Sequence, residues 1–265
     1  VCSSDLWNTK QVMTEKHMLV LGVGAHSSQG KRDTNEDRFH VEQSWQLKTS
    51  DKSETDPVVN ETVDYFGVYD GHCGVDAAMY LEASLHHYLV SRPSFKDNTK
   101  QACIDAYAAA DKEFLEYAAT CTSKDVGAVC TSAILRYSSP YKATLTVANV
   151  GDASAVLVQN DKAALVSVEH KAKSFKEDID HIKKSGGFLI KDRVNGILAV
   201  TRTIGDQYYK TKRSKRYTAD LVQSKPSIFE TQIEVKNHKD SKSNTSKHNF
   251  MIIASDGLWD VITPA

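Results

Sequence analysis

Four acidic groups in this sequence stand where a short apolar run gives way to a loop, a position at which a rigid strand end can hold a carboxylate. Asp70 follows Tyr65-Phe66-Gly67-Val68-Tyr69 and opens Asp70-Gly71-His72-Cys73-Gly74. Asp256 follows Phe250-Met251-Ile252-Ile253-Ala254-Ser255 and opens Asp256-Gly257-Leu258-Trp259-Asp260. Asp152 closes Val147-Ala148-Asn149-Val150-Gly151, and Glu36-Asp37 lie inside Arg32-Asp33-Thr34-Asn35-Glu36-Asp37-Arg38-Phe39. A single strand followed by Asp-Gly is ordinarily just a turn. Two such Asp-Gly steps in one chain, each inside a longer unusual string, point instead to a shared site.

Carboxylates without cysteine ligands suit hard, oxygen-preferring ions such as Mg or Mn, and Gly71 would expose a backbone carbonyl as a further oxygen ligand. Two such ions about 3.5–4 Å apart lower the pKa of a water between them and stabilise an in-line displacement at phosphorus. Phosphoryl chemistry also needs a phosphate clamp and an acid for the leaving oxygen. Arg32 could give a bidentate guanidinium contact, and His72, two residues from Asp70, could protonate a departing Ser or Thr oxygen. Taken singly, an Arg before acidic residues is more often a surface ion-pair partner, and a His after Asp-Gly a solvated turn residue.

The elements that must position these groups read as short β-type runs at residues 18–25, 63–69, 128–137, 143–149, 154–159, 163–168 and 249–254, bounded by Gly, Asp, Asn and Ser. Helical periodicity is confined to residues 74–92, with Ala77, Ala78, Leu81, Leu85 and Leu89 on one face, to 99–119, and to 174–184, which ends on Lys183-Lys184 before Gly186-Gly187. Strands joined directly, with few long helices between them, predict an α+β protein built on antiparallel sheets. Residues 48–62, 210–216 and 236–249 read as polar surface insertions. Neither an internal repeat nor an interdomain linker is visible.

Composition narrows the function classes. The 265 residues are 40% hydrophobic and 25% charged, and 33 Lys and Arg against 34 Asp and Glu leave a formal charge of −1. No global field therefore draws the chain to nucleic acid or membrane. A metal-dependent nuclease would use the same carboxylates, but there is no aromatic-basic stripe. The one basic run, Lys210, Lys212, Arg213, Lys215 and Arg216, reads as a solvated loop, with steering of acidic phosphopeptides as the weaker alternative. The five cysteines, Cys2, Cys73, Cys103, Cys121 and Cys130, have no CxxC or Cys/His spacing. Reduced thiols are expected. With no run of about 18 apolar residues and no signal-peptide layout, the expectation is a soluble intracellular protein, cytoplasmic and/or nuclear, and a monomer.

The strings RDTNEDRF, YDGHCG, ANVGDAS, EHK, VNGILAVTRTIGD and ASDGLWDV, running in this order from Arg32 to Val261, resemble the successive motifs of the protein phosphatase 2C family. The resemblance implies a metal-dependent serine/threonine protein phosphatase whose substrates are phosphorylated proteins. It implies a four-layer αββα fold, a central antiparallel β-sandwich flanked by helices, with a dinuclear Mg or Mn site at one end. Carried over by motif, Asp70 would bridge two ions, the Gly71 carbonyl would bind one, and Asp256 the other. Glu36 and Asp37 resemble residues that hold metal-bound waters, Arg32 the phosphate-binding arginine and His72 the general acid. Asp152 and Asp260 match positions that hold a third, weaker ion in some relatives, although Asp152 could equally orient other ligands. Arg202-Thr203-Ile204-Gly205-Asp206 and Glu169-His170-Lys171 read as scaffold, with Asp206 as a cap or a backbone partner.

Departures from the family pattern are also expectations to test. Cys73 replaces the second Gly of the usual string and reads as a small buried cysteine rather than a reactive thiol. Ala153-Ser154 replace a familiar Ser-Arg, and Val129 stands where Thr is common. Family members continue through a helix and a strand carrying a last metal-binding Asp in an Asp-Asn pair, and no Asp-Asn follows Trp259. Residues 18–265 are thus expected to be a catalytic domain incomplete at its C-terminus, with 1–17 as an extension. The rival reading is an inactive phosphatase-fold module that recruits a partner.

Overall fold

Register, more than any single element, gathers the acidic residues. In the computed structural model, which describes residues 22–49, 59–120, 125–210, 217–234 and 249–262, β1 (Asp37–Thr49) pairs antiparallel with β2 (Val59–His72) so that Asp37 faces Asp70. Then β2 pairs with β3 (Gly127–Ser139), β3 with β4 (Lys142–Val150), and β4 with a later strand, β10 (Ser227–Glu234). A second sheet holds β5 (Ser154–Gln159) between β6 (Lys162–Leu165) and β11 (Phe250–Ala254). The short β7 (Leu189–Ile190) and β8 (Arg193–Val194) form a separate hairpin, while β9 (Ile204–Gly205) adds to the start of β3. Because all the pairs are antiparallel, the start of β1, the end of β2, the start of β3 and the end of β4 share one edge of the large sheet. The start of β5 and the end of β11 lie opposite each other in the same way.

Strand alternation gives the large sheet two apolar faces. Tyr65, Tyr69 and Ile134 turn toward α1 (Asp76–Val90) and α2 (Thr99–Ala118) in one cluster. Ala133, Leu135, Leu145 and Val147 meet Ala155 and Leu157 of the second sheet, with Phe66, Met251 and Ile253 packed at the margin. Both helices follow the expected stripe: Ala77, Leu81, Leu85 and Leu89 are buried in α1, and Ala102, Ala106, Ala110 and Phe114 in α2. The Asn98 side chain caps α2 by accepting from Gln101 N at 3.0 Å. α3 (Lys176–Lys184) carries Glu177 and Asp178 in its first turn and Lys183 and Lys184 in its last, matching the helix dipole, and ends at Gly186 with φ 92°. The expected sandwich is therefore present with helices on the large sheet. On the far side, Leu165, Phe250 and Ile252 of the second sheet are exposed among the described residues.

Some expectations are corrected. Residues 22–25 are not a strand, and 18–21 lie outside the described residues. The two long strands missed from sequence, β1 and β10, are the two ends of the large sheet; each has one neighbour and a half-exposed, charged sequence, so neither carries a continuous apolar run, and the two-residue β7, β8 and β9 are too short to show a period. Residues 48–49 and 59–62 of the expected insertion belong to β1 and β2, and Thr62 is buried. Lys210 is not part of a solvated loop. It is 4% exposed and paired to Asp111 of α2 at 3.1 Å. Lys212, Arg213, Lys215 and Arg216 lie outside the described residues, as do Cys2 and Cys121 and the stretches 50–58 and 236–248.

A hydroxyl network ties α2 to the sheet. Tyr107 Oη lies 2.9 Å from Ala148 O, 3.0 Å from Ser132 Oγ and 3.2 Å from Cys130 Sγ, and Ser132 Oγ also meets Tyr65 Oη at 2.8 Å. Burial pushes the Cys130 thiol up to about 12, so it stays protonated. Tyr107→Phe keeps the ring and deletes the hydroxyl, leaving buried partners short. It is expected to cost about 1–2 kcal/mol and lower the melting temperature by about 2–8 °C, read by thermal denaturation.

Candidate functional site

Strand ends deliver the carboxylates to one end of the sandwich. Asp37 is the first residue of β1, and its N–H is held by Asn35 Oδ1 at 3.0 Å. Ser255, just after β11, donates from Oγ to Asp37 Oδ2 at 2.9 Å and so links the two sheets. Asp70 lies opposite Asp37, and Gly71 N donates to Glu36 O at 3.2 Å. A Cβ on Gly71 would lie 2.8 Å from Glu36 O, so glycine is required for that approach. Asp152 follows Gly151, whose φ of +86° and contact with Val129 leave no room for a side chain. Asp256 opens the short helix α4 (Asp256–Trp259), whose Trp259 Nε1 donates to Ser154 O at 3.1 Å.

These groups feel one another. Burial, then the charges of Asp37, Asp256 and Asp152, push Asp70 up to about 8. Burial and Asp256 push Asp152 up to about 6, against the lowering effect of Lys171. Asp256 is raised by burial, Asp260 and Asp37, and lowered by Lys171 and Arg32. The charge of exposed Arg32 thus reaches Asp256. Asp260 is at its rim, 68% exposed and 3.9 Å from Lys171 Nζ. Glu36 accepts from Thr34 Oγ1 at 3.5 Å.

His72 stands beside the cluster, with Nε2 at 2.9 and 3.0 Å from the two carboxylate oxygens of Asp206. Burial opposes a charge on the imidazole, but the hydrogen bond and charge of Asp206, with Asp70 and Glu36, outweigh it and raise its pKa. This pair is missing from the sequence reading, which made Asp206 a cap or a backbone partner. Of the Glu169-His170-Lys171 string, His170 is scaffold: it accepts from Gly151 N at 3.2 Å, meets Ser227 Oγ at 2.8 Å, and burial drops it to about 3. Lys171 instead directs its charge into the site, 3.4 Å from Glu169 Oε2. Arg202 is scaffold, in a two-pronged pair with Asp178. Cys73 is a correction. It is exposed, at φ 58°, and partial desolvation together with the charges of Asp206, Asp125 and Glu36 raises its thiol, so it is not an activated thiolate.

Among the described residues no three His, Cys, Asp or Glu side chains converge into a finished metal-binding group. The donor set nevertheless fits a hard cation. It is all oxygen, and burial together with the charges of Asp37, Asp256 and Asp152, which lift Asp70 to about 8, marks a buried cluster of acids that a divalent ion would neutralise.

Comparison with known proteins places the chain in a family. The chain is 34% identical over 243 residues to "Probable protein phosphatase 2C 59" of Arabidopsis thaliana, covering 91% of this chain and 66% of that protein. It is 32% identical over 243 residues to "Probable protein phosphatase 2C 45" of Oryza sativa subsp. japonica, covering 91% and 72%. Against other such relatives it spans about half of the relative's length, 58% and 55% in two of them. The fold matches the crystal structure of serine-threonine phosphatase 2C from Toxoplasma gondii with a TM-score of 0.63 at 20% identity, over 88% of this chain and 77% of that one. The family model "Protein phosphatase 2C" matches residues 21–265. The chain belongs to the protein phosphatase 2C family.

Proposed function

We propose that this domain hydrolyses phosphoserine and phosphothreonine in intracellular proteins, using Mg or Mn held by Asp70, the Gly71 carbonyl and Asp256, with Glu36 and Asp37 holding coordinated waters. The observation that carries the reading is the gathering of Asp37, Asp70, Asp152 and Asp256 at one end of the sandwich, beside a histidine and within the field of an arginine. Divalent ions supply there a nucleophilic water at neutral pH and charge neutralisation of the phosphoryl group. The chain's own residues do the rest. Arg32, on an exposed turn braced by Gln29 Nε2 donating to its carbonyl at 2.8 Å, reaches phosphate from solvent. Asp152 and Lys171 set the local charge, and Asp152 with Asp260 would hold a third, weaker ion. His72 gives a proton to the departing oxygen.

Assay of the full-length protein on a phosphoserine peptide tests this. Turnover should require added Mn or Mg and stop with excess chelator. Chelator-insensitive turnover would overturn the reading, and no turnover at any metal concentration would favour the partner-recruiting alternative.

A further inference from the structure

The proposed acid, His72, is held by a device that reaches into the helical layer. Both carboxylate oxygens of Asp206 meet His72 Nε2, across 134 residues of sequence, and Asp206 is 2% exposed. A carboxylate only accepts, so Nε2 must be the donor, and the imidazole nitrogen left for chemistry is Nδ1. Asp206 sits in the left-handed region, φ 54° and ψ 53°, a conformation that needs outside support in a non-glycine residue. Its N–H donates to Val126 O at 3.0 Å and its carbonyl accepts from Tyr209 N at 2.9 Å.

That support runs on to Asp111 of α2. Asp111 Oδ1 accepts from Gly205 N at 2.8 Å, and Lys210 Nζ donates to both Asp111 oxygens at 3.2 and 3.1 Å and to Thr203 O at 3.2 Å. Asp111 and Lys210 are 7% and 4% exposed, so the pair brackets the Asp206 turn from inside the protein. On the other side Gly127 packs without a side chain: a Cβ there would lie 2.6 Å from His72 Nε2 and would also strike the Asp206 carboxylate.

We propose that Asp206 is a positioning residue that fixes His72 as an Nδ1 proton donor, and that Asp111 and Lys210 hold Asp206 for that task. The inference rests on the phosphatase reading. In the step it serves, the bond from phosphorus to the substrate oxygen breaks as the bond to water forms. The Nδ1 proton passes to the departing oxygen while Nε2–H stays on Asp206. Of the two water protons, one ends on the phosphate and one, through solvent, returns to Nδ1.

Leaving-group dependence separates this role from a merely structural one. A seryl oxygen leaves only with a proton, whereas 4-nitrophenolate leaves without one. Asp206→Asn in the full-length protein should lower kcat on a phosphoserine peptide by about 10–100-fold and on 4-nitrophenyl phosphate by less than about threefold, with KM little changed. His72→Gln should show the same selectivity, and the double variant should fall no further than either single one. Asp111→Asn should show a weaker version of the same split. Equal losses on both substrates, or additive losses in the double variant, would overturn the proposal. A wild type inert toward both substrates would overturn the phosphatase reading and this inference with it. Long-range 1H–15N imidazole correlations of the metal-free protein need no activity. They should show His72 with a proton on Nε2, lost or exchanging in Asp206→Asn, and a proton found only on Nδ1 in wild type would overturn the assignment.

Discussion

Asp70→Asn is expected to lower phosphopeptide turnover by at least about 10³-fold, roughly 4 kcal/mol of transition-state stabilisation, while raising the melting temperature of the metal-free protein. The opposed signs come from one cause. Asp70 lies at the end of β2, facing Asp37 and within the fields of Asp256 and Asp152, and burial with those charges lifts its acid to about 8. An unfolded Asp ionises near about 3.9. Between those values the folded chain keeps a proton that the unfolded chain releases. The group's penalty to stability therefore grows as pH rises from about 4 to about 8 and then levels off. Asn has no such proton. Wild type and variant should melt together near pH 4.5, and by pH 8 the variant should melt about 4–8 °C higher. That gap corresponds to about 2 kcal/mol once solvent screening at the open site is allowed for. Added Mn should reverse the order by stabilising only the wild type. A variant no more stable than wild type at pH 8 would mean that burial and the neighbouring carboxylates do not penalise the Asp70 charge as described.

How far the sequence carried this reading depended on which interactions are local. Asp70, Asp152 and Asp256 were legible because each ends an apolar run, and antiparallel pairing then had to bring those ends together. Asp37 was not legible in that way. It begins an edge strand whose charged, half-exposed sequence hides its period, and its place opposite Asp70 is a matter of register. The strands β3 and β4 and the helices α1 to α3 were read nearly to their ends, since their burial follows residue spacing, while β2 was read only over its apolar middle. Asp206 and Lys210 were misjudged for a common reason. Their partners, His72 and Asp111, lie 134 and 99 residues away, and a charged residue in a turn reads as solvated or as a partner of nearby backbone until that distance closes. Cys73 failed differently: a small apolar-looking residue beside a glycine turn was expected to bury, but at φ 58° it faces solvent.

Among the scaffold residues, Asp178→Ala is expected to have the largest effect on stability, a loss of about 3 kcal/mol and a fall in melting temperature of about 6–12 °C. Asp178, 5% exposed in the first turn of α3, accepts from Arg202 Nε at 2.8 Å, Arg202 Nη2 at 2.9 Å and Thr201 Oγ1 at 2.7 Å. Arg202 in turn lies over the Phe175 ring, 5.1 Å from its centroid, and donates from Nη1 to Lys225 O at 2.9 Å. Truncation leaves a guanidinium 12% exposed with its fork empty, the situation in which a lost partner costs most. The damage should also reach the site. Thr201 N donates to His170 O, His170 N donates to Gly151 O, and Gly151 carries Asp152. Replacing both charges, as Asp178→Leu with Arg202→Met, removes the unpaired cation and should recover more than half of the lost stability, with Thr201 Oγ1 keeping only its longer bond to His170 O at 3.2 Å. Thermal melts of the two single variants and the double variant decide the matter. If Asp178→Ala costs under about 1 kcal/mol, the pair acts as a screened surface ion pair and α3 is held by its apolar contacts alone.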